Sequence, residues 1–364
     1  MKKAPLVMMM AGGTGGHIFP ALAVAQSLKT KGYRVCWLGT SVGLESKIVP
    51  EARIALYRLA VRGLRGKSLR AVAEGLVRFA VAVVQAMWIM LRLRPTLVIG
   101  MGGYVAAPGG IAAFVMRRPL FIHEQNSVAG STNRILRPLA RRIFAAFPGA
   151  FTTAAKVEVI GNPVRPSIVE VGRQRSVYTA ERDLHVLVLG GSQGARAINQ
   201  VLPQAVSEFE ALNSGVALEI WHQVGSNNLA DVSAHYAHLG LSHVRVAAFI
   251  DDMSEAYRWA DVVIARAGAL TCSELLAAAC PAALVPLPNA IDDHQYKNAS
   301  VLAEAGAVVL LEQTLLTTES LVDLWTKWSH NPSLLEDMST AARALAQNEA
   351  TQRIVDAAEE LIHA

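Results

Sequence analysis

Short, mostly apolar runs at Leu6–Met10, Arg34–Leu38, Leu97–Ile99, Leu120–His123 and Val157–Ile160 alternate with helix-like stretches through the first part of the chain. Runs that are apolar at nearly every position, rather than at every second one, belong to strands buried on both faces, so the pattern predicts a parallel sheet covered by helices. A second series follows at Val186–Leu189, Leu218–Trp221, Val244–Ile250, Val262–Ile264, Ala283–Val285 and Val308–Leu311. The two series open alike. Val7-Met8-Met9-Met10 runs into Ala11-Gly12-Gly13-Thr14-Gly15-Gly16-His17, and Val186-Leu187-Val188-Leu189 into Gly190-Gly191-Ser192-Gln193-Gly194-Ala195, each followed by a helical pattern. The fold class expected is therefore α/β, with two Rossmann-like, doubly wound domains facing a central cleft and their glycine turns at the carboxyl ends of strands, where such sheets bind ligands.

Length supports this division, because 364 residues exceed what one core usually holds. The segment from Gly161 to Asp183 breaks the alternation with prolines and charges, as an interdomain linker would. The boundaries expected are 1–163 for the first domain and 164–340 for the second. Residues 341–364 are expected to form a helix packing back across the junction.

Composition narrows the class without naming a ligand. A chain that is 52% hydrophobic and 17% charged is globular, and 34 basic against 29 acidic residues favour anionic partners. The three cysteines, Cys36, Cys272 and Cys280, have no zinc-type spacing and suggest a reducing compartment. The amino terminus offers only six apolar residues, Pro5 to Met10, before the glycines, too few for a signal-peptide core.

Glycine turns before helices let a ligand approach the backbone, and the helix start favours anions; the competing reading of each is a tight structural turn. Neither turn has dinucleotide-binding spacing, and Gly66-Lys67-Ser68 lacks the first glycine of a Walker A loop, Val61 standing in its place. Arg266-Ala267-Gly268-Ala269-Leu270-Thr271 follows a strand and opens a helix carrying Glu274, a layout in which the helix start takes a diphosphate and the carboxylate takes ribose hydroxyls. Glu274 could equally be an ordinary helix-start carboxylate. The loop from Pro286 to Gln295 offers polar groups to a sugar, or is merely a solvated connection. His17, beside the first turn, is a candidate general base, although many histidines only cap or fill. His123-Glu124-Gln125-Asn126 adds polar groups at another strand end.

From Gly66 to Arg94 the chain is basic and apolar. Phe79–Leu91 is an uncharged run of thirteen residues, shorter than a bilayer requires. Arg62, Arg65, Lys67, Arg70 and Arg78 precede it and Arg92 and Arg94 follow, which suits a segment lying in the interface of an anionic membrane; a core helix with a solvated basic end is the alternative.

Seven motifs in order resemble those of the MurG family of bacterial peptidoglycan glycosyltransferases: Gly12–His17, Gly100-Met101-Gly102-Gly103-Tyr104, His123–Asn126, Gly161-Asn162-Pro163-Val164-Arg165, Gly190–Ala195, Arg266–Thr271 and His294-Gln295-Tyr296-Lys297-Asn298-Ala299. The resemblance spans nearly the whole chain and implies a GT-B fold with inverting transfer of N-acetylglucosamine from UDP-N-acetylglucosamine to the C4 hydroxyl of the muramyl sugar of lipid I (undecaprenyl-diphospho-N-acetylmuramoyl-pentapeptide). It implies donor contacts at Thr14, Gly15, Gly16, Asn126, Arg165, Ser192, Ile250, Ala269, Leu270, Thr271, Cys272, Ser273, Glu274 and Gln295, with His17 the preferred base. Asn289–Asp293 departs from the family's usual loop. The partners implied are the donor, lipid I, an anionic membrane surface and other cell-wall synthesis proteins, at the cytoplasmic face of the inner membrane, with no nucleic acid. No DxD sequence occurs, so neither metal nor cofactor is expected. The rival readings are a UDP-N-acetylglucosamine 2-epimerase and a non-catalytic nucleotide-sugar-binding scaffold.

Overall fold

A computed structural model describes residues 4–61, 69–151, 157–176, 178–191, 194–212, 216–288, 290 and 293–364, with the backbone alone for 69–73. The chain divides into two units, Met1–Val164 with Gln347–Ala364, and Arg165–Ala346.

In unit 1, β1 (Leu6–Met10), α1 (Gly15–Thr30), β2 (Arg34–Gly39), α2 (Glu45–Glu51), β3 (Ala55–Arg58), α3 (Leu69–Leu93), β4 (Leu97–Gly100), α4 (Ala106–Val115), β5 (Leu120–Glu124), α5 (Ser131–Leu136), β6 (Arg142–Ala145) and β7 (Val157–Val159) follow one another. The strands form one sheet in the order β3-β2-β1-β4-β5-β6-β7, with every pairing parallel. The order reverses at β1, so the loops after β1 and β4 flank the switch point where open α/β sheets hold ligands.

The run Leu6-Val7-Met8-Met9-Met10 is apolar throughout because both faces are covered. Val7 and Met9 pack with Trp37, Phe121 and Phe144 against α1 and the carboxyl-terminal α14 (Ala350–His363). Leu6, Met8 and Met10 pack with Leu38 and Ile122 against α3, α4 and α5. Each such side chain taken out of water contributes about 1.5–3 kcal/mol, and Phe121 and Phe144 meet edge to face with centroids 5.9 Å apart.

Unit 2 contains α6 (Pro166–Gln174), β8 (Leu184–Leu189), α7 (Arg196–Leu212), β9 (Leu218–Gln223), α8 (Leu229–His238), β10 (Arg245–Ala247), α9 (Met253–Trp259), β11 (Val262–Ala265), α10 (Ala269–Ala277), β12 (Ala282–Leu284), α11 (His294–Glu304), β13 (Val308–Leu310), α12 (Thr318–His330) and α13 (Pro332–Leu345). Its sheet runs β10-β9-β8-β11-β12-β13, again all parallel and again reversing at its first strand.

Several expectations need correction. Ala55–Arg58 and Arg142–Ala145 are strands that the apolar pattern misses: the first is an exposed edge, the second begins on a charge. The run Val244–Ile250 is a strand only over Arg245–Ala247. The unit boundary at Val164/Arg165 falls inside the stretch Gly161–Asp183, but from Pro166 on that stretch is no linker, since Pro166 starts α6 at its first turn and α6 packs on α9 and α10 within unit 2. The 340/341 boundary falls inside α13; the chain returns to unit 1 at Gln347, and α14 packs there against α1.

Candidate functional site

Each unit places glycine turns in the loops at its sheet's switch point, with further candidate residues on other loops and helix starts. In unit 1 Thr14 is the N-cap of α1 in extended conformation. The first helical bonds run from the His17 and Ile18 N–H groups to Thr14 O (3.2 and 3.3 Å), so the Gly15 and Gly16 N–H groups point out of the helix start. The loop is held from behind by Glu45, which is fully buried. Its Oε1 accepts from Thr40 N (3.0 Å) and Oγ1 (2.7 Å), and its Oε2 accepts from Gly13 N (3.2 Å).

The second loop, after β4, contains Gly102 and Gly103 with φ of 89° and 79°, the left-handed region that glycine tolerates. A Cβ on Gly102 would stand 2.7 Å from His17 Nδ1, so the missing side chain lets the imidazole lie against this backbone. His17 is half-buried, with Nδ1 2.9 Å from Gln125 Oε1. Gln125 Nε2 donates to Met101 O (2.8 Å) and lies 3.2 Å from His123 Nδ1, while His123 Nε2 lies 2.8 Å from Gly161 O. Burial lowers the His123 pKa to about 4, so this ring is neutral near pH 7.

Asn126 is placed by Glu124, whose Oε1 accepts from Asn126 N (3.0 Å) and Nδ2 (3.2 Å) and whose Oε2 accepts from Gly130 N (3.0 Å) and Asn133 Nδ2 (2.8 Å). Thr14, Gly15, Gly16, His17 and Asn126 thus all lie in loops or helix starts after β1 and β5, beside the glycines after β4.

In unit 2, α10 begins at Ala269 behind Gly268. Its first internal bond runs from Cys272 N to Gly268 O (2.9 Å), leaving the Leu270 and Thr271 N–H groups directed out of the helix start. Cys272 is fully buried and burial pushes its thiol up to about 12, so it offers a ligand only backbone. Ser273 donates its hydroxyl to Ala269 O (3.0 Å).

Glu274 is on the second turn, buried, with Arg165 Nη2 3.0 Å from Oε1 and the Tyr257 hydroxyl donating to Oε2 at 3.2 Å. Burial raises its pKa, against the pull of Arg165 and the Tyr257 hydrogen bond. Arg165 and Glu274, far apart in sequence, are therefore one group. Gln295, near the start of α11, accepts from Leu287 N through Oε1 (3.0 Å) and so fixes the loop after β12. Ile250 is buried in the turn before α9, where its backbone rather than its side chain would meet a ligand. Ser192 lies outside the described residues, as do Asn289, Ile291 and Asp292.

The sequence reading missed the supporting groups. Glu45 and Tyr257 carry no motif, and only a carboxylate next to glycines hints at the first; Glu124 lies within His123–Asn126, but its role of holding Asn126 and Gly130 in place does not show there. Arg266 is likewise structural: its guanidinium donates to Val285 O (3.1 Å), Pro286 O (3.2 Å) and Gln313 Oε1 (2.7 Å). Among the described residues no three His, Cys, Asp or Glu side chains cluster as metal ligands.

The family profile described as "Glycosyltransferase family 28 N-terminal domain" matches residues 7–145, and that described as "Glycosyltransferase family 28 C-terminal domain" matches 185–361. Two curated relatives share the name UDP-N-acetylglucosamine--N-acetylmuramyl-(pentapeptide) pyrophosphoryl-undecaprenol N-acetylglucosamine transferase. The one from Shewanella frigidimarina is 44% identical, covering 98% of this chain and 96% of its own. The one from Chromohalobacter salexigens is 47% identical over 96% and 95%. Among solved structures, Acinetobacter baumannii MurG matches with a TM-score of 0.79 at 39% identity, over 98% of this chain and 99% of that one. A putative UDP-N-acetylglucosamine 2-epimerase from Listeria monocytogenes shares the fold, with a TM-score of 0.69 at 15% identity.

Proposed function

The chain belongs to glycosyltransferase family 28, and on that premise we propose that it transfers N-acetylglucosamine from UDP-N-acetylglucosamine to lipid I, giving lipid II for peptidoglycan synthesis. The observation that carries this is near-full-length similarity, at 44–47% identity, to relatives named for that reaction, in a chain whose two switch points both carry the glycine loops. The epimerase reading rests on a likeness of fold alone.

The reaction we infer is a single inverting displacement. The muramyl C4 hydroxyl attacks the anomeric carbon, its proton passes to His17, and the bond to the UDP oxygen breaks on the opposite face. The outward N–H groups at the start of α10 take the developing charge of the diphosphate, and Glu274, held by Arg165 and Tyr257, accepts from the ribose hydroxyls. Thr14–Gly16, Asn126, Ser192, Ile250 and Gln295 complete the donor contacts. Incubation of labelled UDP-N-acetylglucosamine with a lipid I analogue is expected to yield the disaccharide product and UDP in equal amounts. UDP-N-acetylmannosamine from donor alone would favour the epimerase, and donor binding without any transfer would favour the scaffold.

A membrane-linked acceptor calls for a membrane-facing surface, and α3 supplies one. Val77, Val81, Val84, Trp88 and Leu91 recur at alternating spacings of four and three and are exposed, while Ala82, Ala86, Ile89 and Met90 on the other side are buried in the core. Met87 and Val83 lean on that core, so Met87 is not part of the outer stripe. Glu74–Leu93 is long and apolar enough to cross a bilayer, with mean hydropathy 1.7. Its buried face is shared with β1, β4 and β5, however, so α3 meets the interface side-on. Arg92 lies 3.6 Å over the Trp88 ring and, with Arg78, provides charge for anionic headgroups. Arg62, Arg65 and Lys67, and the Arg70 side chain, lie outside what the structure describes. Partners among other cell-wall synthesis proteins and a position at the cytoplasmic face of the inner membrane are part of the same reading. The double variant V84D/W88D is expected to lose binding to anionic vesicles by about tenfold or more, with turnover of a short-chain soluble acceptor unchanged. Undiminished sedimentation with vesicles would place the membrane contact elsewhere.

A further inference from the structure

The hydrogen bonds behind His17 leave only one arrangement of protons. Gln125 is 1% exposed, and its Nε2 lies 2.8 Å from Met101 O. A carbonyl oxygen only accepts, so this atom must be the amide nitrogen; the reversed amide would set two oxygens against each other. The atom facing His17 is then the amide oxygen, which also only accepts. His17 Nδ1, 2.9 Å away, must therefore carry the hydrogen. Further back, Gly161 O can only accept from His123 Nε2 (2.8 Å), which leaves Nδ1 of that neutral ring as an acceptor for the second hydrogen of Gln125 Nε2 (3.2 Å). All the donors and acceptors are matched from Gly161 to His17.

We propose that Gln125 is a positioning residue that fixes His17 as its Nδ1–H tautomer, so that Nε2 is the nitrogen with a free lone pair for the acceptor's proton. The proposal rests on His17 being the base. Gln125 touches no reacting atom; it acts through the imidazole. The surroundings are suited to holding one state. Gly102 packs on the ring without a side chain, Met101 anchors the amide through its carbonyl, and Asn162 Nδ2 donates to the Gln125 carbonyl (3.1 Å), fixing its backbone. An imidazole free to exchange tautomers would spend part of its time with Nε2 protonated and unable to accept.

The direct test is 15N NMR of the full-length, histidine-labelled protein, with the His17 signals assigned by their loss in H17Q. The expected result is a proton on Nδ1 in the wild type; a proton on Nε2 would overturn the proposal without any variant having to fold. In Gln125→Met, which keeps the volume and removes the acceptor, the His17 signals are expected to show Nε2–H. There kcat should fall by about tenfold or more, with KM for UDP-N-acetylglucosamine changed by less than about threefold. A Q125M protein that keeps full kcat while H17A loses it would overturn the role of Gln125. Full kcat in H17A as well would instead overturn the assignment of His17 as base.

Discussion

Replacing His17 with alanine is expected to lower kcat by about 10²–10⁴-fold, the usual contribution of a positioned general base, with little change in KM for UDP-N-acetylglucosamine. The imidazole has one nitrogen tied to Gln125 Oε1 and the other available, and it rides on the first turn of α1 beside two outward N–H groups. Alanine is the best helix former and the ring is only half-buried, so α1 and its helix-start N–H groups persist in the variant. The donor contacts proposed for unit 2 are untouched. The loss should therefore fall on the chemical step, and single-turnover rates with donor and acceptor saturating should fall as far as steady-state kcat. Turnover within about threefold of the wild type would remove His17 from the role.

The parts legible in the sequence are those fixed by double burial. Leu6–Met10 and Val186–Leu189 read as strands because both of their faces are buried, and the loops after them read as ligand loops because glycines follow. Edge and charged strands escape that logic. Ala55–Arg58 has no fully buried residue, and Arg142 opens its strand with a guanidinium that reaches Glu158 at 3.5 Å. The prolines around Arg165 suggest a linker when read locally. Pro166 instead starts α6, and no local pattern shows that α6 packs against α9 and α10.

Within the site, motif glycines and helix starts were legible, but the groups that aim them were not. Gln125 is readable as a polar residue at a strand end; that it faces His17 depends on β4 and β5 being neighbours. Tyr257 looks like any core aromatic until α9 and α10 bring its hydroxyl to Glu274. In α3, composition alone showed an apolar run. Which residues face outward follows from packing, so Trp88 is exposed while Met87, next to it, is held against the core.

Substituting Glu274 with glutamine should separate folding from donor recognition. Burial raises the pKa of this carboxyl. A carboxyl whose pKa is higher in the folded than in the unfolded chain favours folding below its unfolded value, and that contribution is lost as pH rises through the folded value. In its ionised form the buried carboxylate opposes folding, and an amide of the same shape relieves the desolvation while its oxygen still accepts from Tyr257 or Arg165. Arg165 loses its counter-charge, but it is about a third exposed, so water screens it. The melting temperature at pH 7 is thus expected to stay within about 2 °C of the wild type. Recognition should suffer much more, because the amide nitrogen cannot accept. Hydrogen bonds from ribose hydroxyls to a carboxylate are worth about 1.5–3 kcal/mol, so affinity for UDP should fall by about 10–100-fold. Calorimetric titration with UDP and with 2′-deoxy-UDP checks both halves: wild type should prefer the ribonucleotide and E274Q should not. Equal affinity of the two proteins for UDP would make Glu274 a core carboxylate and move the ribose elsewhere.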